Sequence, residues 1–271
     1  LLPALKKAGV MVVEKHEELT EDQQAFVDQY FVEAVYPVLT PMAMDSARPF
    51  PLIRNKTLNI GALIAKKGKK DKEELEFATV QVPSVLPRII EIPGDKKYKT
   101  TVVLLEEIIE RNIGKLFLSN TVVCTCPYRI IRNADLTIDE DEAADLLTEI
   151  EKQLKKRQWG EVIRLDVEEK MDPRLLKILK MEFDMKEEDI HYINGPLDLT
   201  FLMKMYKLEG FDDLKVPPYT PAPVKEMMTD EDIFTQIRRQ DILLHHPYMS
   251  FDPVVDFVRQ ASKDPEVLAI K

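Results

Sequence analysis

His245 and His246 stand side by side in the stretch DILLHHPYMSFDP, residues 241–253, and are two of only four histidines in the chain. Imidazole is the side chain best suited to moving protons, holding phosphate or binding a metal near neutral pH. The apolar run before the pair reads as a buried strand, and adjacent residues of a strand point to opposite faces. The two are therefore badly placed to grip one metal ion or to act together on one atom. One imidazole at most should face a ligand, with Tyr248 as a neighbour, while the other packs or finishes the strand.

Other groupings offer less. Cys124 and Cys126 in VVCTCPY would share one face of a strand, but two thiols with no further Cys or His nearby fall short of the usual four zinc ligands. They read as buried reduced thiols of a cytoplasmic protein. The acidic run IDEDEAAD lacks the spacing and glycine of a calcium loop and reads as a helix start. Arg129, Arg132 and Asn133 in YRIIRNADL lie at a strand end, where they could hold phosphate or simply make a turn. No phosphate-binding glycine loop, dinucleotide fingerprint or nucleophile elbow occurs.

These residues need elements to carry them. With 271 residues, 45% hydrophobic and 32% charged, the chain has material for two ordinary domains. No apolar run reaches the ~20 residues that span a bilayer, and the first residues lack the basic-then-apolar pattern of a secretory signal. The net charge of −10 argues against a general nucleic-acid surface, although a local basic channel for an anionic substrate remains compatible with it. The first residue is not methionine, and EVLAIK at the other end is a strand-like run with nothing to close it, so both ends read as cut from something longer.

Thr20 is a plausible N-cap for a helix whose Phe26, Val27, Tyr30, Phe31, Ala34 and Val35 recur at helical spacing, ended by Pro37 and Pro41. Strands are expected around residues 50–66 and 75–82, joined by the lysine-rich loop KKGKKDKEE, read as a solvated hairpin tip. VVLLEEIIERNIGKLF reads as a helix, residues 120–138 as strand, and DEDEAADLLTEIEKQLKKRQWG as a helix closed by Gly160. Strands and helices then mix without strict alternation, which favours an α+β fold with a mixed sheet. A proline-rich linker at 216–228 should run extended. Beyond it, strand, helix and strand, with Asp252 as N-cap and Pro253 behind it, predict a βαβ unit. Ligands collect at the carboxyl ends of such strands, where the histidine pair lies.

At this point the residues resemble a known family. YPVLTP (36–41), RPFPLIRN (48–55), RNADL (132–136), GPLDL (195–199) and the whole block 241–271 resemble bacterial polyphosphate kinase, in the same order along essentially all of the chain. The resemblance implies an enzyme that reversibly transfers the terminal phosphate of ATP to polyphosphate through a phosphorylated histidine, with Mg2+. It implies that residues 1–35 end an N-terminal helical domain, 36–215 form a head domain that helps the protein dimerise, 216–228 link, and 229–271 begin a phospholipase-D-like domain.

The chain departs from the family by omission. The arginine of the magnesium and phosphate site and the phosphorylated histidine in its H-x-K run both lie beyond residue 271, so no catalytic residue carries over. The segment is expected to scaffold, self-associate and line part of a substrate channel, without binding ATP or Mg2+ on its own. An acidic protein that handles polyphosphate must gather its bases in a channel. Arg54, Asn55, Arg129, Arg132, Arg238 and Arg239 are the candidates, with His245, His246 and Tyr248, and each arginine reads equally as a surface ion-pair partner. The alternative is a stand-alone polyphosphate- or nucleotide-binding module without catalysis. Partners would be ATP, ADP, polyphosphate and a second copy, and not nucleic acid. The location would be the cytoplasm, or the inner face of the membrane.

Overall fold

A computed structural model describes residues 1–13, 16–44, 49–66, 75–94, 97–133, 160–224 and 231–269. The lysine-rich loop at 67–74 and the acidic start and long helix expected at 139–159 lie outside them. The chain divides into two compact units, Leu1–Lys207 and Leu208–Lys271.

The larger unit begins with helix α1 (Leu2–Lys7), stopped at Gly9 in the left-handed region, and strand β1 (Val10–Val13). Thr20 and Gln23 form a reciprocal capping box on α2 (Glu21–Tyr30), which satisfies two orphan donors of its first turn. The helix widens into a π turn at Phe31–Val35 and ends in a short turn at Tyr36–Val38, where Pro37 cannot extend the ladder. After β2 (Pro41–Ala43) come β3 (Leu58–Lys66), β4 (Leu75–Gln81), β5 (Ile89–Ile92) and β6 (Thr100–Leu104), then α3 (Leu105–Asn112). The helix expected over 102–117 is therefore shorter. Its first residues are β-branched and lie in β6, buried between β1 and β5, where such side chains pack well. β7 (Asn120–Arg132), β8 (Val162–Glu168), α4 (Pro173–Glu182), β9 (Ile190–Ile193) and α5 (Phe201–Met205) complete the unit. Of the strand expected from residue 50, only the part from Leu58 onward forms.

The strands make a three-stranded sheet, β1-β6-β5, and a six-stranded mixed sheet, β2-β4-β3-β7-β8-β9. In the larger one β8 and β9 run parallel and the other neighbours antiparallel. The two faces of this sheet bury different cores. Ile60, Ala62 and Ile64 of β3 join Phe31, Val35, Ile108 and Ile109 on one side. Leu63, Tyr128, Ile130, Leu165 and Val167 meet Leu175 and Leu179 of α4 on the other. The period of two in β3 produces that division. Gly61 keeps the second face close: a Cβ there would lie 3.4 Å from the Tyr128 ring and 3.5 Å from Leu175.

The smaller unit holds two helices, α6 (Ile233–Arg239) and α7 (Asp252–Ala261). Asp232 caps α6 by accepting from the N–H groups of Phe234 and Thr235 at 2.9 and 3.1 Å. The helices pack through Phe234 and Phe257, ring centroids 5.4 Å apart. Asp252 is the first helical residue of α7 and Phe251 its N-cap, one position earlier than expected. The two strands expected to flank α7 do not form among the described residues. Only a parallel bridge pairs Ala222 with Met249, Leu243 is 89% exposed and Leu268 97% exposed. An apolar run becomes a strand only where a neighbouring strand completes its hydrogen bonds, and among the described residues only Ala222 supplies any.

The buried hydroxyls of Thr79 and Tyr128, 3.0 Å apart, are partners across the core of the large sheet. Tyr128→Phe strands the Thr79 hydroxyl and should cost ~1–3 kcal/mol, whereas Tyr128→Phe with Thr79→Val should recover most of that. Urea denaturation of the single and double variants measures it, and a double variant as weak as the sum of the singles would rule out the hydrogen bond as the cause.

Candidate functional site

The candidate arginines of the larger unit meet at one end of its six-stranded sheet, where β3 starts, β7 ends and β8 starts. Leu58 pairs with Arg129, and Ile131 pairs with Arg164. Arg132 is turned inward. Its Nε and Nη2 donate to the Ile53 carbonyl at 3.2 and 3.1 Å, and its Nη1 donates to the Gly160 carbonyl at 2.8 Å. Its backbone N–H donates to Asn55 Oδ1 at 2.9 Å. Arg132 and Asn55 are thus a clamp on the polypeptide, the turn-making reading of this motif, and burial lowers the Arg132 pKa.

What the clamp presents is the turn 54–57. The Arg54 carbonyl accepts from the Thr57 hydroxyl at 2.9 Å, and the Lys56 N–H donates to Ile130 O at 2.9 Å. Arg54 and Lys56 are both exposed. Lys56 sits in the left-handed region at φ 62°, where a non-glycine side chain costs ~1 kcal/mol. Beside them Arg129 reaches Asp166 Oδ2 at 4.0 Å, and Arg164 Nε holds Asp166 Oδ1 at 2.6 Å. Asp166 is 1% exposed, so one buried carboxylate is shared by two guanidinium groups. Lys56, Arg164 and Asp166 escaped the sequence reading. Their signal was the i, i+2 spacing of Arg164 and Asp166 on a strand, which puts both on the face of Arg129.

Across the same end of the sheet, the Asn133 N–H donates to Glu161 O at 2.8 Å. A Cβ on Gly160 would come within 2.4 Å of the Asn133 carbonyl, so only glycine fits there.

Further along the same face, acids replace bases. Arg88 binds Glu106 through Nε and Nη2 and reaches Asp198 at 3.0 Å. Glu110 accepts from the Thr125 hydroxyl at 2.6 Å, and its pKa is raised, chiefly by burial. Burial, with Glu110 and Glu106 close by, pushes Glu168 up to about 7. A cleft of about 290 Å³ opens near this region, with Glu17, Glu107, Glu110 and Arg111 on its walls, an acidic lining that repels a polyanion. Cys124 and Cys126 are free, with raised pKa values caused first by burial, so neither is a ready thiolate.

In the smaller unit the histidine pair lies on a turn, not at a strand end. Met249 N–H donates to His245 O at 2.8 Å, Ala222 N–H to Tyr248 O and Ser250 N–H to Ala222 O, both also at 2.8 Å. The His245 ring meets Tyr248 edge-on at 5.0 Å, and Tyr248 meets Tyr219 at 5.9 Å. The His246 ring meets Phe251 at 5.2 Å instead. The two imidazoles thus lean on different aromatics. Arg239 pairs with Glu231 at 3.4 Å on the surface, and Arg238 lies near Asp232 in the same helix.

Fold and site together define an α+β segment that spends one arginine on its own backbone at a sheet end where other cations gather. The model for the polyphosphate kinase middle domain matches residues 22–205, and that for polyphosphate kinase C-terminal domain 1 matches residues 232–271. The polyphosphate kinases of Bacillus cereus and Halalkalibacterium halodurans are each 44% identical over all of this chain, and polyphosphate kinase 1 of Chlorobaculum tepidum is 38% identical. The chain spans 39%, 38% and 39% of their respective lengths. The crystal structure of polyphosphate kinase from Porphyromonas gingivalis matches 97% of the chain, and 37% of its own, with a TM-score of 0.70 at 22% identity, a likeness of fold. The chain belongs to the polyphosphate kinase family.

Glu168 gives the larger unit a pH signature. Between its ordinary value of 4.5 and about 7 the folded carboxyl keeps a proton that the unfolded one has lost. Stability should therefore fall as pH rises through that window and level off above it. Glu168→Gln should match the wild type below the window and exceed it above, by ~1 kcal/mol once its partial solvent exposure is discounted. Melting temperatures across that range check this; parallel curves for the two proteins would count against it.

Proposed function

We propose that this chain is the middle portion of a polyphosphate kinase that reversibly transfers the terminal phosphate of ATP to polyphosphate, through a phosphorylated histidine and with Mg2+. In this reading residues 1–35 end an N-terminal helical domain, 36–215 form the head domain, 216–228 link, and 229–271 begin a phospholipase-D-like domain. The enzyme works in the cytoplasm as a dimer or larger assembly. No helix among the described residues is long and apolar enough to cross a membrane. Among the described residues no three His, Cys, Asp or Glu side chains are grouped to hold a metal ion.

The observation that carries the reading is the cationic sheet end. Arg129 and Arg164 share the single buried carboxylate of Asp166, and the exposed Arg54 and Lys56 stand on the turn beside them, where Arg129 Nε donates to the Lys56 carbonyl at 3.4 Å. A phosphoryl group in flight spreads its charge over three oxygens, and catalysis consists mostly of positioning and of cations that offset that charge. Lysine at position 56, where glycine would fit the backbone better, keeps a cation on the turn at the expense of stability. Strain held at one residue is a pointer to function.

The full-length protein containing this chain should elongate polyphosphate from ATP, and failure to do so would overturn the reading. In that enzyme Arg54→Glu with Lys56→Glu should raise the KM for polyphosphate about tenfold or more, with an unchanged melting temperature. An unaltered KM would remove the sheet end from the substrate path.

A further inference from the structure

His246 is held in an unusual way for a histidine that only packs. Its Nδ1 lies 3.0 Å from the Met249 carbonyl oxygen. A carbonyl can only accept, so Nδ1 carries the proton and, in the neutral ring, Nε2 carries the lone pair. Met249 cannot easily swing away, because its own N–H is bonded to His245 O and its neighbours are tied to Ala222. Phe251 fixes the ring from the side, with the two planes at 62°. The residue is exposed, and no described residue is bonded to Nε2. Backbone on one nitrogen, an aromatic wall and the other nitrogen open is how proteins orient an imidazole toward a ligand.

The geometry points to His246 as a residue that, when its ring is protonated, donates from Nε2 to a phosphate oxygen. The identity of that ligand rests on the function proposed above. A metal ion is a poor alternative, since no further ligands gather among the described residues. An imidazolium N–H makes a charge-assisted hydrogen bond to an oxyanion, and α7 begins six residues further on, with its positive end near the turn. Asp252, in the first turn of that helix, is the nearby opposing charge, and its carboxylate accepts from the Ser250 hydroxyl at 2.7 Å. His245, whose ring rests on Tyr248, has no comparable bond to fix its tautomer.

Two measurements test this. Long-range 1H–15N spectra of the chain, taken well above the imidazole pKa, should show His246 protonated at Nδ1, the minor form of free histidine; at a pH low enough to protonate the ring, titration with tripolyphosphate should move its Nε2 resonance. A neutral ring protonated at Nε2 in place of Nδ1, or a protonated ring whose Nε2 does not respond to tripolyphosphate, would overturn the proposal. In the full-length enzyme His246→Asn keeps a donor near the place of Nδ1 and loses Nε2, whereas His246→Gln does the reverse. The expected result is a KM for polyphosphate raised about tenfold in His246→Asn at an unchanged melting temperature, with His246→Gln closer to wild type in KM but less stable. If His246→Asn behaves as wild type and only His246→Gln loses stability, the histidine is structural. A full-length protein without kinase activity would sink the proposed function, while the Nε2 response of the chain to tripolyphosphate would be judged separately.

Discussion

The inward turn of Arg132 is the interaction on which the cationic sheet end depends. A guanidinium has five donors and no acceptor, and here three of its nitrogens reach the carbonyls of Ile53 and Gly160. Three chain segments remote in sequence are thereby joined at one point: the approach to β3, the end of β7 and the start of β8. Charged groups displayed to solvent repel one another and would splay a loose edge. Satisfying backbone carbonyls with one cation lets the neighbouring cations sit on a firm turn. The same arginine therefore serves the fold and, through it, the site.

The six-stranded sheet handles its two faces differently. The α4 side is closed by aliphatic and aromatic side chains, with the Thr79–Tyr128 hydroxyl pair as a satisfied polar contact. The other side begins as an apolar core under α2 and α3 and then carries a file of ionic groups across β7 and β8. Within that file charge is unevenly matched: Arg88 answers Glu106 and Asp198, two arginines share Asp166, and Glu110 and Glu168 have no cation of their own among the described residues. A buried charge without a counter-charge is tolerated by holding a proton, and the raised pKa values of those two acids reflect that.

Much of this fold was legible from local signals. Thr20 and Gln23 form the capping pair, and the apolar spacing that follows is unambiguous, so α2 and its continuation to Val35 came through. β7 was equally readable, because its composition and length agree with a strand from residue 120. Residues 102–104 misled because an apolar run before a helix fits either state, and the choice was made by β1 and β5, which lie far away in sequence. DILLHHPY misled in the opposite sense: its composition suits a strand, but among the described residues no strand pairs with Leu243, which is exposed. At the site, Arg132 was visible as a residue and invisible as a clamp, because its acceptors are the backbone of Ile53 and Gly160, and backbone carbonyls leave no trace in a sequence. The orientation of His246 was hidden for the same reason.

The pairing of Asn133 with Glu161 has a consequence for how this protein can be altered. Asn133 and Glu161, 28 positions apart in the chain, are one hydrogen bond apart at the sheet end, with Gly160 allowing the two to come this close. Closing a longer excursion between ends already held together costs only ~0.6 kcal/mol for each doubling of length. The junction is thus a permissive port, where a reporter or a second module could be grafted while the strands on either side keep their register.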